Sequence, residues 1–434
     1  MALDILVLGG GIAGCMTAFA LHKKGFRPVV YEQAAAFTSL GGGFTLQSNG
    51  LHVLDHFGLL DDVRAVGNSE SDMATFYNLR GGTPIASFDL SSPAAPSAAS
   101  KPSCHLLRAK LHQLLLAKLH AAGIPLHTGK KVTAVLERVD AVDVAFADGT
   151  HATGHLVVGA DGVHSSVRRL VFGDHLKATF TGAIGYLGVV DIDDSATAAR
   201  TWRYFSNLAF LNDTRTKRFA LVMNTTTTSS QLCFAIMENQ TQALSTDDTW
   251  RPYSNLPAEA ARLADHAAAW GMPAHFVELV RRVTRLTPVS IYEVPHLDAY
   301  ATARVVLVGD AAHGMRPDLG QGVNCALEDA GVLAELLARV APAPSNNLPV
   351  TARALQLYNG MRLPRGQSLV AEAKARNERN HTPSAVGAFL HQRMLKFLAF
   401  LGHFGIRPLV NQALAYDFMA QVDNALRLDE HVWT

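Results

Sequence analysis

Residues 304–330 read RVVLVGDAAHGMRPDLGQGVNCALEDA, and this stretch decides how the rest of the chain is read. Residues 305–308 form an apolar β-branched run that stops at Gly309-Asp310. A loop then carries Pro317 and Gly320-Gln321-Gly322, and residues 323–340 return to helical spacing. The pattern predicts a buried strand, a loop built for close backbone approach, and a helix N-terminus aimed at whatever the loop touches. Free N–H groups and the macrodipole at that end favour negative charge, so an anion or an electron-rich ring is expected there. The partner of this stretch lies at the other end of the chain.

There, residues 3–8 read as a central strand, Gly9-Gly10-Gly11-Ile12-Ala13-Gly14 satisfies GxGxxG, and helical spacing runs from Cys15 to Lys24 before Gly25. A second strand, 28–32, ends in Glu32, 18 residues beyond Gly14. GxGxxG alone is weak; strand, glycines, helix, strand and acid in that order are specific. Gly9 permits the tight turn, Gly11 lets backbone approach a pyrophosphate, Gly14 allows helix and strand to pack, and Glu32 can accept from ribose hydroxyls. The competing reading is an ordinary βαβ unit with a glycine-rich turn.

Between these ends the signals are weaker. Gly41-Gly42-Gly43, followed by a helix over 51–57, is either a second close-approach loop or a flexible turn. Residues 76–79 and 85–88 around Gly81-Gly82 predict a hairpin, and 91–103, rich in Ser, Ala and Pro, a surface excursion. Arg108 stands at a strand-to-helix junction, where it can reach a phosphate or lie in solvent as a first-turn arginine. Residues 132–139 and 142–146 predict an antiparallel pair. Asp161-Gly162, opening a segment with Arg168 and Arg169, is either a solvated corner or a phosphate holder. From about 177 to 291 short strand-like runs replace the βαβ pattern, with Trp202, Tyr204, Phe205, Phe210, Met223, Phe234 and Met237 as candidates for one sheet face. A Pro/Ala/Asn linker at 341–349 precedes a helical tail.

With 434 residues, 48% of them hydrophobic, and a formal net charge of +1, the chain can bury a large core in two or more lobes. No lysine or arginine block marks a nucleic-acid surface. Four scattered cysteines with no CxxC signal neither a disulfide framework nor zinc, so no metal is expected and buried thiols in a reducing compartment are. Asp4 interrupts a would-be signal peptide, which points to a cytoplasmic protein. Residues 395–416 contain Lys396, His403 and Arg407, too polar for an integral membrane segment, and leave surface contact with a membrane open.

Taken together, the glycine turn with Glu32, Arg108, Asp161-Gly162 and GDAAHGMRPDLGQGVNCALEDA resemble the flavin-dependent aromatic hydroxylases, the class A FAD monooxygenases. The stretch GGGFTLQSNGLHVLDHFGL looks most like salicylate hydroxylase-type enzymes, with tetracycline-inactivating monooxygenases as relatives. The resemblance covers about residues 1–70, 104–174 and 290–335. It implies an α/β fold: a discontinuous Rossmann-like FAD-binding domain (1–72, 101–174, 292–340), an inserted β-sheet substrate domain (73–100, 175–291) and a C-terminal helical region (341–434). It further implies that Gly9, Gly11, Ile12, Gly14 and Glu32 hold the ADP half of FAD, with Gly43 and Arg108 against the cofactor. Asp161 would serve FAD and transient NAD(P)H, Asp310 the ribityl chain, and Gly322 and Val323 the pyrimidine edge. Pro317 would line the face where oxygen reacts, and it and Gly320, whose backbone N–H would share the pyrimidine edge, are the candidate catalytic residues.

The activity so implied is monooxygenation: NAD(P)H reduces FAD, O2 adds at C4a, and the flavin hydroperoxide transfers one oxygen atom to an apolar aromatic or polyketide-like small molecule. The protein would be a monomer or homodimer. A reductase or halogenase of the same superfamily and a non-catalytic flavin-containing ligand-binding protein are the alternatives, though the halogenase Trp-x-Trp-x-Ile-Pro segment is absent. Two departures from the family stand out. Tyr31-Glu32-Gln33 replaces the frequent Tyr-Glu-Arg, and Leu187 follows Tyr186 where many relatives carry an arginine that holds a phenolate or carboxylate. Sequence alternation leaves open which face of the substrate sheet lines the pocket.

Overall fold

The structure, a computed structural model, describes residues 3–38, 41–90, 103–192, 205, 207–228, 230–245, 250–340, 348–402 and 412–433. Most of the 91–103 excursion, the start of the 341–349 linker, and Trp202 and Tyr204 lie outside the described residues.

The chain opens with β1 (Asp4–Leu8), α1 (Ile12–Lys23) and β2 (Arg27–Tyr31). It continues through β3 (Gly43–Leu46), α2 (Ser48–His56), α3 (Leu60–Val66), β4 (Met73–Asn78), β5 (Pro84–Asp89), β6 (Cys104–Leu107) and α4 (Arg108–Ala121). Next come β7 (Leu126–His127), β8 (Val132–Glu137), β9 (Val142–Phe146), β10 (His151–Gly154) and β11 (Leu156–Gly159). Then follow β12 (Thr179–Asp191), β13 (Leu208–Asp213), β14 (Arg218–Asn224), β15 (Gln231–Asn239), α5 (Leu256–Ala269), α6 (Ala274–Arg281) and β16 (Arg285–Glu293). Last are β17 (Val305–Leu307), the single turn α7 (Asp310–His313), α8 (Gly322–Val340), α9 (Leu348–Arg379), α10 (Ala385–Gly402) and α11 (Phe418–Trp433).

A five-stranded parallel sheet, order β17-β11-β1-β2-β7, carries the Rossmann-like half. Its central strands read as continuous apolar runs because both faces are covered, one by α1 and its neighbours and the other by the β10-β9-β8 sheet, where Tyr31 stacks on Phe146 and Gly154 lies against Leu6. Ile5, Val7, Leu156, Val158 and Val305 are fully buried, each contributing about 1.5–3 kcal/mol. A three-stranded antiparallel sheet, β10-β9-β8, extends the pair expected at 132–146. The seven-stranded sheet, order β16-β12-β15-β14-β13-β4-β5, includes the expected 76–88 hairpin as β4 and β5, which join it through the parallel pair β13·β4.

Three expectations change. The helix expected at 51–57 begins at Ser48. The stretch read as wholly β-rich contains α5 and α6, whose alanines and leucines pack on one face of the seven-stranded sheet. The segment after Asp161-Gly162 is one wide helical turn in which Arg168 is fully buried. Its guanidinium donates to the carbonyls of Leu176, Ala311 and Val163 at 2.9, 2.9 and 2.7 Å, so it is spent on the fold and holds no phosphate.

A buried charged network locks α8 to α7 and α9. One Asp329 carboxylate oxygen accepts from Gly309 N–H at 2.7 Å and His313 Nε2 at 2.6 Å, and the other accepts from Arg362 Nε at 2.7 Å. Glu328 accepts from Arg362 Nη1 and Arg365 Nη2, both at 2.8 Å. Burial alone would neutralise His313, but Cys325 and Asp329 beside it hold its pKa well above the usual 6.5. Burial likewise opposes the Asp329 charge, and His313 and Arg362 overcome it to hold that carboxyl below 3.8.

The His313 contribution is therefore complete below pH 6.5 and is lost as pH rises through its raised value, whereas Asp329 contributes above pH 3.8 and loses its share as pH falls through its depressed value. His313→Gln is expected to cost about 2–4 kcal/mol at neutral pH in urea unfolding. The gap to wild type should close on the alkaline side as His313 loses its proton, and on the acid side should hold until Asp329 is protonated below pH 3.8; a gap that narrows on acidification above pH 3.8 would show that His313 is neutral in the fold.

Candidate active site

Three strand ends deliver one rim. β1 runs into Gly9, which sits at φ 114° and donates its N–H to Tyr31 O at 2.8 Å. A Cβ on Gly14 would lie 1.9 Å from Gly9 O, so α1 can reach the turn only as glycine. Ile12, in the first turn, points into the core at 8% exposure. After β2, Glu32 accepts from Gly10 N–H at 2.7 Å and Ala34 N–H at 2.8 Å. After β11, Asp161 accepts from the Ser165 hydroxyl and from the N–H groups of Ser166 and Val167, at 2.7 and 3.1 Å, while burial pushes its carboxyl pKa up.

Gly9, Gly11, Glu32, Asp161, Ser166 and Lys130 line one cavity of about 180 Å3. Lys130 brings a cation to the wall that Gln33 leaves uncharged, although its ammonium is paired with Asp148 at 2.6 Å. A Cβ on Gly11 would meet nothing within 4 Å. Packing within the protein does not demand glycine there; room for a ligand at the uncapped start of α1 does. The donor set and the open space fit an adenosine diphosphate.

The second part of the groove is built where β3 pairs with β6, with Gly43 opposite Leu107. Arg108 N–H donates to Gly42 O at 2.9 Å, and its side chain packs at Gly41 beneath the Trp250 ring, 5.8 Å from the centroid. Burial lowers the Arg108 pKa, while Asp310, Cys15 and Glu32 act to raise it. Arg108 is thus half-buried against the glycine loop and Trp250 and not a solvated first-turn residue. Gly320 takes φ 64°, and a Cβ on Gly322 would stand 4.0 Å from Asp310 Oδ1. Pro317 opens the tight turn that Gly320 closes by donating to its carbonyl at 2.9 Å, and Val323 follows at the start of α8. None of Pro317, Gly320, Gly322 and Val323 lines the 180 Å3 cavity.

Sequence reasoning missed the clamp that joins the two loops. Asn324 Oδ1 accepts from Gln47 N–H at 2.9 Å, and its Nδ2 donates to Thr45 O at 3.1 Å and Gly320 O at 2.9 Å. Asn49 donates to Gln321 Oε1 at 2.9 Å, and Gln321 in turn donates to Gln47 Oε1. The signal was present as four amide residues within the two glycine-flanked stretches, but amides that pair with each other leave no periodic trace.

The seven-stranded sheet presents two unlike faces. Ile184, Tyr186, Ala209, Leu211, Val222 and Phe234 pack beneath α5 and α6. Tyr186 donates to Glu238 at 2.8 Å and lies under Arg262, so it is turned away from the groove. On the opposite face, Leu187 approaches Gly42, and Cys233 and Met223 approach Gly43. Register pairing continues that face through Ala235, Leu221, Phe210 and Phe76, all but Phe76 and Phe210 unstacked and all half-buried. The aromatic set read from sequence therefore divides: Phe205 and Phe234 lie under the helices, and Phe210, Met223 and Met237 lie on the groove side. Arg285, opposite Val189 on that face, reaches toward Gly41 O at 3.5 Å, and its Nε is buried without a partner among the described residues.

Two other features stand apart. A cavity of about 370 Å3 lies between α10 and the β4–β5 edge and touches none of the cofactor candidates. His313, Cys325 and Asp329 bring three potential metal ligands within 4.8 Å of one another, but Arg362 already donates to Asp329 and to Cys325 Sγ at 3.1 Å, so a fixed guanidinium supplies the positive charge there.

The family described as FAD binding domain matches residues 2–373. The chain is 32% identical over 397 residues to 3-amino-4-hydroxybenzoate 2-monooxygenase PtmB3 of Streptomyces platensis, covering 90% of this chain and 92% of that protein. It is 28% identical over 377 residues to the FAD-dependent urate hydroxylase of Klebsiella pneumoniae, covering 87% and 90%. A solved salicylate hydroxylase substrate complex shares the fold, with TM-score 0.76 at 22% identity over 98% of each chain.

The contact between glycine loop and substrate sheet is testable. A Cβ on Gly43 would fall 2.3 Å from Cys233 Sγ, so Gly43→Ala should cost about 1–3 kcal/mol in urea unfolding. Adding Cys233→Ala should recover most of that loss, with a coupling above about 1 kcal/mol in the double-mutant cycle. Simple additivity would mean that the two elements do not touch.

Proposed function

This chain belongs to the FAD-binding-domain family as an FAD-dependent monooxygenase, and we propose that it takes electrons from NAD(P)H and inserts one atom of O2 into an apolar aromatic or polyketide-like small molecule. The observation that carries this reading is the groove itself: backbone amides and a helix start on one wall, and a half-buried apolar sheet face with Leu187 and Phe210 on the other. In this reading residues 1–72, 101–174 and 292–340 form the cofactor unit, 73–100 and 175–291 the substrate unit, and 341–434 the helical tail.

Within it, Gly9, Gly11, Ile12, Gly14 and Glu32 hold the ADP half, with Asp161 beside them. Arg108 and Gly43 would flank the middle of the cofactor, Asp310 would take the ribityl hydroxyls, and Gly322 and Val323 would offer backbone N–H groups to the pyrimidine edge. The bound flavin supplies hydride acceptance and oxygen activation, which no side chain here can. The start of α8 steadies negative charge at that edge. Pro317 and Gly320 shape the wall at which O2 and substrate meet, and the apolar sheet face keeps water from it. Arg285 adds a cation able to take an anionic oxygen, on the face where Leu187 replaces the family's arginine.

Purified protein should be yellow, with FAD at one equivalent per chain. An aromatic substrate panel should raise NAD(P)H oxidation with matching O2 uptake and a product heavier by one oxygen atom. Arg108→Met should weaken FAD binding about 10- to 100-fold. Colourless protein that refuses added FAD, or NAD(P)H oxidation that no substrate stimulates, would remove the monooxygenase reading.

A further inference from the structure

Helix α10 keeps its packing face and its apolar stripe on different sides. Leu395, at 8% exposure, and Gln392, whose amide donates to Asn78 Oδ1 at 3.2 Å, turn toward the β4–β5 edge. On the other side Val386, Phe389, Leu390, Met394 and Phe397 are 49–69% exposed. Their spacing (i, i+3, i+4, i+8, i+11) gathers them into one stripe along the helix. Ordinary surface exposure scatters such residues singly; five on one helix face is a patch of the kind that meets a partner.

Charge says which partner. From residue 379 to residue 416 the chain contains no Asp or Glu, while Arg379, Arg393, Lys396 and Arg407 are cationic. Arg393 lies within the stripe, its guanidinium 4.9 Å from the Phe389 ring centroid, and Lys396 stands at its edge. An aromatic side chain under an arginine leaves the apolar stem buried and the charge directed outward. A second copy of the helix would bring no carboxylate to either cation, and an isologous pairing would set the like charges near one another. An anionic headgroup layer meets both demands at once: acyl chains for the phenylalanines and phosphates for the cations. Among the described residues no helix is long and apolar enough to cross a membrane, so the contact lies in the plane of the surface.

We propose that α10 is a membrane-surface contact, an amphipathic helix seated on anionic phospholipid through its Phe389–Phe397 stripe and held there by Arg393 and Lys396. The inference does not depend on the flavin chemistry. Its test is flotation of the full, FAD-loaded chain with vesicles of phosphatidylcholine alone and of phosphatidylcholine mixed with phosphatidylglycerol. The protein should float with the mixed vesicles, stay behind with the neutral ones, and be released by raised salt. Removing both cations in Arg393→Gln/Lys396→Gln should weaken partition about 30-fold, and Phe389→Ser/Phe397→Ser at least about 100-fold. Retained yellow colour and an unchanged melting temperature show that each variant is folded. Wild-type protein that ignores mixed vesicles, flotation indifferent to lipid charge, or binding that survives both double substitutions overturns the proposal. So does a dimer in sedimentation equilibrium that Phe389→Ser/Phe397→Ser disperses, because the stripe then belongs to a second copy.

Discussion

The carboxylate of Asp329 is the point on which the groove depends. Its oxygens hold the Gly309 N–H where β17 ends, the imidazole of His313 one turn later, and the guanidinium of Arg362 from a helix far along the chain. Gly309 and His313 bracket Asp310, so the direction of that side chain follows from a hydrogen bond made on the far side of the backbone. A buried carboxylate is stable only when its partners are complete. Loss of one partner would leave the others mispositioned as well as an unpaired charge, which makes the network a device for precision more than for stability. Arg362 and Arg365, both engaged by Glu328, also lie over the Tyr416 ring and so tie the C-terminal helices to this centre.

The clamp between the two loops uses different chemistry for a physical reason. Asn324, Asn49, Gln321 and Gln47 are neutral, and they fix the 41–49 stretch to the 317–324 loop while adding no formal charge to that of Asp310 beside the start of α8. Glu328 is kept one layer back: it accepts from Asn49 at 2.6 Å on the side away from the groove. The field beside the start of α8 thus comes from backbone amides, which do not titrate, together with the Asp310 carboxylate and Arg108, whose pKa burial lowers against the opposing pull of Asp310, Cys15 and Glu32.

What could be read from sequence was local and periodic. The opening βαβ unit needs Gly14 because its Cβ would collide with Gly9 O, and that requirement is written in one hexapeptide. The hairpin at 76–88 and the pair at 132–146 are short-range for the same reason. Helices α5 and α6 went unread because an alanine-rich segment between strands carries no mark of the sheet it will cover. Arg168 could not be assigned because its three carbonyl partners include Ala311, 143 residues away. Arg362 and Asp329 are likewise joined only by the fold, and no spacing rule connects them.

The two faces of the seven-stranded sheet were indistinguishable by alternation, since each strand offers apolar residues to both sides. Packing separates them. The face under α5 and α6 is sealed by Phe234, Phe276 and their neighbours, so change there is a matter of stability. The face toward Gly42 is mixed: Val189, Met223 and Cys233 are buried against the glycine loop, whereas Leu187, Leu221 and Phe210 are half-buried, and only the latter can change with little penalty in core packing. Leu187 illustrates the consequence: this chain sets an apolar side chain against the glycine loop, and the nearest strand, β16, brings Arg285 to the same face. A guanidinium on β16 approaches the glycine loop from the Gly41 side. Selectivity in this chain would then rest on apolar fit across Leu187, Leu221 and Phe210, with charge reserved for the end of the groove that the cofactor itself occupies.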